Sequence, residues 1–387
     1  MGPAAGRVAS LSRPTIVLLA GEPSGDALGA ALAAQLRSRL GDVDLVGLGG
    51  PRMRAEGVEL LAGLDELAVM GFAEVLPRIP YFRDLERRLE EVLLRRDVRL
   101  VVPIDFPGFN MRVARCTKRL GRRVLWYVAP QVWAWRERRS RTLADVADRV
   151  AVILPFEESF LTRRGVRASF VGNPVQDAVN GSVGDGGRAF RAEWGLDAAA
   201  PLLAILPGSR EQEVRRHLDI FLGAVELVRR DRPDVVPVLA RTPSLPGTLF
   251  GDWPHPQVTD ARGLLRAATA ALVKSGTGAL EAAVEGTPTV VAYRTSRPTW
   301  FLARRLLRVD HVALPNLVAG REVVPELLQD AATPSALASH LVSLLAPDGH
   351  ERARQIEGLG EVSAKLGSPG VAGRVADMAI ELMGGRP

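Results

Sequence analysis

Short apolar segments alternate along this chain with amphipathic helical patterns, and this alternation restricts the fold more than any other feature. Apart from Thr15, the segments Thr15–Ala20, Leu100–Ile104 and Leu202–Leu206 are apolar, as strands are when helices cover both faces of a parallel sheet. Turns containing glycine or proline follow each of them, and helical patterns come next. The sequence therefore predicts repeated strand–helix units on parallel sheets, which is an α/β fold.

The same alternation suggests how the chain is divided. A length of 387 residues is enough for two domains. The strand–helix pattern stops at the glycine-rich stretch 180–188 and begins again near residue 202. We therefore predict two doubly wound domains, 1–178 and 190–345, followed by helices over 346–387 that pack back on the first domain or on a partner subunit. Ligands in such sheets bind beyond the carboxyl ends of the strands, so residues at strand ends carry the most weight.

The positive charge of the chain is concentrated in its first half. The net charge is +6, and residues 1–188 hold 28 basic and 22 acidic side chains. Within residues 112–141, ten basic side chains stand against one acidic side chain. This excess indicates an anionic partner, which is a nucleic acid, a phosphorylated substrate or an acidic membrane surface.

Cysteine, histidine and hydropathy exclude several other classes of protein. A single cysteine, Cys116, excludes an intrachain disulfide and favours a reducing compartment. The five histidines show no metal-ligand spacing, so the sequence gives no support for a metal. No window approaches the ~18 consecutive apolar residues of a membrane span, so any membrane contact is expected at the surface.

Two turns in the first half contain acidic residues close to the end of a strand. Gly21–Asp26 follows the first strand, and its glycines permit a tight turn with exposed backbone N–H groups. Ser24 or Asp26 could cap the next helix, while Glu22 could bind a sugar hydroxyl or act as a base. Asp105 ends a later strand among apolar residues, where burial would raise its pKa as a general base requires. A plain capped turn and an Asx turn before Pro107 explain the same residues without chemistry.

Two turns in the second half have the form of phosphate sites. The first places Arg210 at a helix start after a glycine turn, where an arginine could neutralise a diphosphate. The second places Ser275, Gly276 and Thr277 before a helix, with Glu281 one turn inside for ribose hydroxyls. Two such turns in one domain suggest a nucleotide diphosphate, although simple capped turns remain an alternative.

An aromatic and basic segment lies inside the positively charged stretch. Trp133, Trp135 and Arg136 suit a membrane interface or a lipid headgroup, and the same residue types could stack on nucleic-acid bases. Core tryptophans beside a solvated helix are an equally ordinary explanation. Met70 and Phe72 form a second apolar segment, which contacts either lipid or the core.

Nine sequence segments that occur in a fixed order along the chain indicate a specific family. They are GEPSGD, MGFAEVLPRIP, IDFPGFN, YVAPQVWAWR, ILPFE, FVGNP, ILPGSREQEV, SGTGALE and LPNLVAGRE. Together, over about residues 15–330, they closely resemble the lipid-A-disaccharide synthase family, glycosyltransferase family 19. The resemblance implies a GT-B architecture, with two Rossmann-like domains facing a central cleft. It also implies an inverting transfer without a metal or other cofactor, from UDP-2,3-diacylglucosamine to 2,3-diacylglucosamine 1-phosphate. The products would be the β-1,6-linked disaccharide 1-phosphate and UDP.

The resemblance also implies roles for individual residues. Asp105 matches the family's essential acid and is expected to be the base, with Glu22 as the second candidate. The residues expected to hold the UDP-sugar are Gly208, Ser209, Arg210, Glu211, Ser275, Gly276, Thr277, Glu281 and Asn316. Those expected to shape the acceptor turn are Ser24, Gly25, Asp26 and Asn110. Gly108 replaces a frequent aspartate and Asn173 a frequent histidine, which puts any role of those two positions in doubt.

The resemblance gives the charge excess a membrane interpretation. The first domain would lie on the cytoplasmic face of the inner membrane as a peripheral protein, through Met70, Phe72, Trp133, Trp135 and Arg136. A homodimer is compatible with the sequence. Other GT-B enzymes of UDP-sugars, such as a peptidoglycan-precursor transferase or a UDP-N-acetylglucosamine 2-epimerase, share the nucleotide turns but are not expected to contain QVWAW or MGF. A nucleic-acid-binding protein would leave the nucleotide turns and strand-end acids unexplained.

Overall fold

The computed structural model describes residues 13–67, 72–135, 139–179, 187–243, 245–251, 253–306 and 310–385. Tertiary contacts divide the chain into two compact units. The first unit contains the described residues up to Pro174 together with those from Gly370 onward, and the second contains Val175–Pro369. Among the helices described here, none combines the length and the apolar character that crossing a membrane requires.

The first unit is built on a seven-stranded sheet. Its strands are β1 (Thr15–Ala20), β2 (Asp44–Gly49), β3 (Glu59–Gly63), β4 (Val98–Ile104), β5 (Arg123–Tyr127), β6 (Arg149–Val152) and β7 (Ala168–Phe170). They lie in the order β3-β2-β1-β4-β5-β6-β7, and all neighbours pair in parallel. This order is that of a doubly wound sheet, and it confirms the fold class that the apolar segments predict.

Helices connect and cover these strands. They are α1 (Pro23–Leu40), α2 (Pro51–Ala55), α3 (Leu64–Leu67), α4 (Phe72–Arg95), α5 (Pro107–Arg119), α6 (Val132–Trp135), α7 (Arg139–Val146) and α8 (Pro155–Thr162). Side chains alternate across a strand, so β1 supplies both faces of the sheet. Ile16 and Leu18 enter the core beneath α1, whereas Val17 and Leu19 enter the core beneath α4 and α5. Burial on both faces is why β1 is apolar from Ile16 to Ala20.

The second unit repeats the design with six parallel strands. They are β8 (Leu202–Leu206), β9 (Val236–Ala240), β10 (Gln257–Val258), β11 (Ala270–Lys274), β12 (Thr289–Tyr293) and β13 (Glu326–Leu328). The order is β10-β9-β8-β11-β12-β13. The helices are α9 (Arg188–Glu193), α10 (Glu211–Asp231), α11 (Ala261–Ala267), α12 (Thr277–Val284), α13 (Arg297–Leu306), α14 (Leu314–Ala319), α15 (Pro334–Leu345) and α16 (His350–Lys365).

The last two helices of the chain belong to different units. Helix α16 packs on α12, α14 and α15 of the second unit, whereas the final helix α17 (Val371–Leu382) packs on α1 and β5 of the first. Val371 and Val375 lie in the core beneath α1. The guanidinium of Arg374 donates to the carbonyl oxygen of Val171 at 2.8 Å, and Asp377 pairs with Arg39. The chain therefore crosses back to its first unit between α16 and α17.

Candidate active site

Each sheet contains one point where the strand order reverses. In the first sheet β1 lies beside β4, and in the second β8 lies beside β11. The loops that follow such a pair of strands run to opposite sides of the sheet and leave a crevice, which is where doubly wound folds bind ligands. The four turns singled out from the sequence follow β1, β4, β8 and β11, so the topology brings them together in two pairs.

The turn after β1 places Glu22 at the start of α1. Glu22 is half-buried and is the residue immediately before the helix, and no side chain caps the helix there. The expectation that Ser24 or Asp26 caps α1 is therefore wrong. Ser24 is exposed. Gly25 lets the helix approach the sheet, because a β-carbon there would lie 3.2 Å from the Ala20 Cβ.

Asp26 serves a different helix from the one expected. Its side chain is buried, and Oδ1 accepts hydrogen bonds from the backbone N–H groups of Gly50 at 2.7 Å and Met53 at 3.0 Å. Oδ2 accepts a third from Arg52 at 3.1 Å. An anionic oxygen at these N–H groups satisfies donors that α2 leaves without helical partners. Asp26 therefore joins the turn after β1 to the turn after β2.

The turn after β4 is held in an unusual backbone conformation. Asp105 and Phe106 both have φ of 48°, a region that costs a residue with a side chain about 1–3 kcal/mol. Asp105 is half-buried rather than fully buried, and its N–H donates to the Tyr127 carbonyl oxygen at 3.0 Å. The ring of Phe106 lies over Gly21, where a β-carbon would come within 2.4 Å of the ring. Glycine at position 21 thus permits the two turns to pack together.

Asn110 also joins these two turns, through hydrogen bonds from its side-chain amide. It is 0% exposed, and its Nδ2 donates to the carbonyl oxygens of Leu19 at 3.1 Å and Asp105 at 2.8 Å. Its Oδ1 has no hydrogen-bond partner within the part of the chain that the structure describes. Asn110 therefore supports the Asp105 turn rather than reaching outward. Gly108 is exposed, and a β-carbon there would meet nothing within 4 Å, so packing does not require the glycine.

Glu157 is not among the site residues that the sequence predicts, and it lies in the same unit as Asp105. Glu157 is 2% exposed in the first turn of α8. Its Oε1 accepts a hydrogen bond from Trp133 Nε1 at 2.9 Å, and its Oε2 accepts one from the Leu154 N–H at 3.1 Å. Burial raises the pKa of Glu157 to about 7, the bond from Trp133 opposes this rise, and the charge of Asp105 adds to it.

This contact corrects the expectation for Trp133. The side chain is 7% exposed, its N–H is bound to a buried carboxyl group, and its ring packs edge-on against Phe156 at 5.0 Å. Trp133 is therefore a core residue and not a surface anchor. Met70, Arg136 and the side chains of Phe72 and Trp135 lie outside the described residues, so their membrane contact stays a prediction.

The turn after β8 is organised by one carboxylate. Oε2 of Glu213 accepts hydrogen bonds from the N–H groups of Ser209 at 3.1 Å and Arg210 at 3.3 Å. Its Oε1 accepts one from Lys274 Nζ at 2.7 Å. Burial opposes the charge on Glu213, but the bond and charge of Lys274 outweigh it and lower the pKa of Glu213. Gly208, at φ 129°, leaves room for the Glu213 side chain.

Glu213 occupies backbone N–H groups of the turn after β8 that were expected to bind an anion. Two backbone N–H groups expected to face phosphate are already bound, whereas the Arg210 side chain is 59% exposed and lies 3.5 Å from Glu213 Oε1. Glu211 forms an ion pair with Arg215 one turn later. The N–H groups at the start of α10 are therefore bound by Glu213, whereas most of the Arg210 side chain is exposed beside the same carboxylate.

The turn after β11 presents the second half of the pair. Ser275 is 8% exposed, and its N–H donates to the Ala292 carbonyl oxygen at 2.8 Å. The Ser275 hydroxyl donates to the Val312 carbonyl oxygen at 3.4 Å. Thr277 is exposed at the start of α12, and Gly276 precedes it. Glu281 is half-buried one turn inside α12, where burial raises its pKa and the charge of Arg262 opposes this. Lys274 links this turn to Glu213 of the other.

The buried position of Asn316 does not agree with the expectation that it contacts the nucleotide. It is 0% exposed in α14. Its Oδ1 accepts hydrogen bonds from the N–H groups of Val323 at 2.7 Å and Val324 at 2.9 Å, and its Nδ2 donates to the Val324 carbonyl oxygen at 2.9 Å. The side-chain amide of Asn316 is therefore hydrogen-bonded to the backbone of the segment that precedes β13. Within the described ranges, no group of three or more His, Cys, Asp or Glu side chains is arranged to hold a metal ion.

Comparison of the fold with solved structures identifies the architecture. The calicheamicin glycosyltransferase CalG4 is similar with a TM-score of 0.62 at 19% identity, over 96% of this chain and 98% of that chain. A UDP-GlcNAc 2-epimerase from Neisseria meningitidis is similar with a TM-score of 0.61 at 13% identity, over 95% and 98%. At these identities the likeness shows the fold alone, which is GT-B.

Comparison of the sequence with known families decides between the enzymes that use this fold. A sequence model of lipid-A-disaccharide synthetase matches residues 16–366. The lipid-A-disaccharide synthase of Myxococcus xanthus is 41% identical over 377 residues, which covers 96% of this chain and 98% of the relative. That of Granulibacter bethesdensis is 42% identical over 351 residues, 87% of this chain and 88% of the relative. The chain is thus a glycosyltransferase, and it belongs to the lipid-A-disaccharide synthase family.

Proposed function

We propose that this enzyme transfers a 2,3-diacylglucosamine unit from its UDP derivative to 2,3-diacylglucosamine 1-phosphate, with inversion at the anomeric carbon. The family supports a reaction of lipid A biosynthesis. The observation that carries the mechanism is the position of Asp105, a half-buried carboxylate in a strained turn at the point where the strand order reverses. Strain at such a point is typical of functional sites.

In the proposed reaction, Asp105 accepts the proton of the acceptor 6-hydroxyl group. The oxygen attacks the anomeric carbon of the α-linked donor from the face opposite UDP. The bond from that carbon to the phosphate oxygen breaks, and UDP leaves with the electron pair. Attack from the opposite face yields the β-1,6 linkage. Glu22, at the neighbouring strand end, is the second candidate for the base.

The second unit would bind the nucleotide. Arg210 has an exposed guanidinium that matches a diphosphate, and the exposed start of α12 at Gly276 and Thr277 presents backbone N–H groups. Charge that develops on the leaving UDP would be stabilised there. Glu281 would bind the ribose hydroxyl groups. The ion pair of Lys274 and Glu213 would hold the two turns in a fixed position relative to each other.

Membrane contact completes the proposal. The substrates carry acyl chains, and ten basic side chains within residues 112–141 would attract an anionic inner-membrane surface on its cytoplasmic face. Met70, Phe72, Trp135 and Arg136 are the proposed lipid contacts.

The test is a UDP-release assay with defined substrates. We expect UDP release only when both substrates are acylated, and a β-1,6 linkage in the product by NMR. UDP-N-acetylglucosamine offered in place of the acylated donor is the matched control and should give no product. Equal turnover of this unacylated donor would overturn the substrate assignment, and an α-linked product would overturn inversion.

A further inference from the structure

His217 is a buried histidine that the proposed reaction leaves without a role. It lies on α10 about two turns after Arg210, and it is 1% exposed. Its ring packs against those of Phe221 and Tyr293, whose centroids are 5.7 Å and 6.3 Å away. Burying an imidazole in such surroundings costs free energy unless its polar atoms are hydrogen-bonded. Both ring nitrogens of His217 are therefore expected to have partners.

Two backbone groups fix the protonation state of His217. Its Nδ1 lies 2.7 Å from the carbonyl oxygen of Glu213, one turn earlier in α10, and a carbonyl oxygen can only accept. Its Nε2 lies 2.9 Å from the backbone nitrogen of Arg294, and the N–H group of that nitrogen can only donate. Nδ1 therefore carries a proton and Nε2 carries none. The folded protein holds His217 as a neutral ring in one tautomer.

The two hydrogen bonds of His217 join α10 to the segment that follows β12. Arg294 is the first residue after β12, and its guanidinium donates to two carbonyl oxygens that follow β13, each at 3.0 Å. The carboxylate of Glu213 binds the turn after β8 and also Lys274 at the end of β11. Through Glu213 and Arg294, His217 therefore connects the loops at the carboxyl ends of the neighbouring strands β8, β11, β12 and β13.

A second proton on His217 would break this connection. It would bind to Nε2, and the new N–H group would face the N–H group of Arg294. The hydrogen bond would be lost, and two donors would be left without acceptors in a buried place. Burial is the largest cause that lowers the pKa of His217. The carbonyl and the carboxylate of Glu213 raise this pKa, whereas the charges of Lys274 and Arg294 lower it.

The other ionisable groups on the elements around His217 are exposed, as far as the structure describes them. They are Arg215, Arg216 and Asp219 on α10, Asp330 after β13 and His340 on α15. The turn Gly247–Phe250, which also packs on α10, contains no ionisable side chain. The charges that act on His217 therefore belong to the network it connects, which is Glu213, Lys274 and Arg294.

We propose that His217 is a positioning residue of the nucleotide site, which holds the Arg210 turn in place for UDP while its ring is neutral and releases that turn when the ring gains a proton. This inference rests on the proposed function, in which the second unit binds UDP through Arg210 and the turn after β11. The neutral ring keeps the first turns of α10 in a fixed position relative to β11 and β12. The protonated ring loses its bond to Arg294, so the position of Arg210 is no longer fixed from that side.

The test measures the affinity for UDP by calorimetry in four enzymes, between about pH 7.5 and about pH 5. UDP itself gains a proton on its terminal phosphate in this range, so each variant is compared with the wild type at the same pH. The wild type should lose about fivefold more affinity in acid than His217→Gln does. The glutamine amide can accept from the Arg294 N–H and donate to the Glu213 carbonyl oxygen, and it does not titrate.

Two further variants separate the hydrogen bonds from the titration. His217→Leu removes both bonds, so it should bind UDP more weakly than the wild type at neutral pH, with no additional loss in acid. His340→Gln replaces an exposed histidine of the same unit and should follow the wild type at every pH.

A constant ratio between the UDP affinities of the wild type and His217→Gln across the pH range would overturn the inference. ¹⁵N NMR of the wild type is a second check that needs no substitution at position 217. It should find the His217 proton on Nδ1 at neutral pH, and a proton on Nε2 would contradict the proposal. A wild type that does not bind UDP, or an Arg210→Ala enzyme with full affinity, would instead overturn the proposed nucleotide site.

Discussion

The aromatic ring of Phe106 occupies the space where a side chain at position 21 would lie, 2.4 Å from an ideal Cβ on Gly21. This contact joins the turn that bears Glu22 to the turn that bears Asp105. Because Phe106 is in the left-handed region, its ring and the preceding carboxylate are set by one strained backbone segment. This packing contact therefore adds to the Asn110 hydrogen bonds that join the turns of the two candidate acids.

Substituting Gly21 should disturb both turns. We expect Gly21→Ala to destabilise the protein by about 1–3 kcal/mol, because the new methyl group overlaps the Phe106 ring. The rate should fall further than the stability predicts, because Phe106 and Asp105 must move together. Thermal unfolding and kcat measure the two effects. Gly108→Ala is the control, since its β-carbon would meet nothing within 4 Å. Equal behaviour of the two variants would show that the contact with Phe106 is unimportant.

The ion pair of Lys274 and Glu213 should make stability depend on pH. The pKa of Glu213 is lowered from 4.5 in the folded protein. A lowered pKa adds stability that is complete above the unfolded value and is lost as the pH falls through the folded value. Lys274→Met should therefore be less stable than the wild type at pH 7, and the difference should shrink below about pH 4. Urea unfolding of both proteins across this range measures it, and a constant difference would contradict the account.

Asn316 should contribute to folding. Asn316→Ala leaves the N–H groups of Val323 and Val324 unbonded in a buried place, which should cost about 1–3 kcal/mol. We expect weaker binding of UDP only in proportion to the unfolded fraction. Unfolding curves and calorimetric titration with UDP separate these effects. A fully stable variant that binds UDP poorly would restore Asn316 to the nucleotide site.

Charge reversal should test the membrane proposal. Replacing Arg136, Arg138 and Arg139 by glutamate should weaken binding to anionic vesicles and leave the affinity for UDP unchanged, because the proposed nucleotide site lies in the second unit. Vesicle sedimentation at two salt concentrations measures the first effect. If vesicle binding does not change, the basic segment is solvated surface or acts on the substrate phosphate alone.

Sequence patterns predicted the long strands and the four turns because strands such as β1 and β8 are buried on both faces. They missed β3, β7, β10 and β13, which are the edge strands of the two sheets and carry weaker patterns. The bond between Trp133 and Glu157 was also missed, because the partners are 24 residues apart and only the fold brings them together. The sequence suggests that Asp26 caps the nearest helix, α1. In the folded protein its side chain accepts hydrogen bonds at the start of α2 instead.

The most direct measurement of the central claim is the turnover of Asp105→Asn, which keeps the shape of the side chain and removes the base. We expect kcat to fall by about 10²–10⁴-fold, the usual contribution of a general base, with unchanged affinity for UDP and unchanged stability. Asp145→Asn, at an exposed carboxylate on α7, should keep wild-type turnover. A folded Asp105→Asn enzyme with wild-type kcat would contradict the account, because the acceptor hydroxyl would then lose its proton to another group.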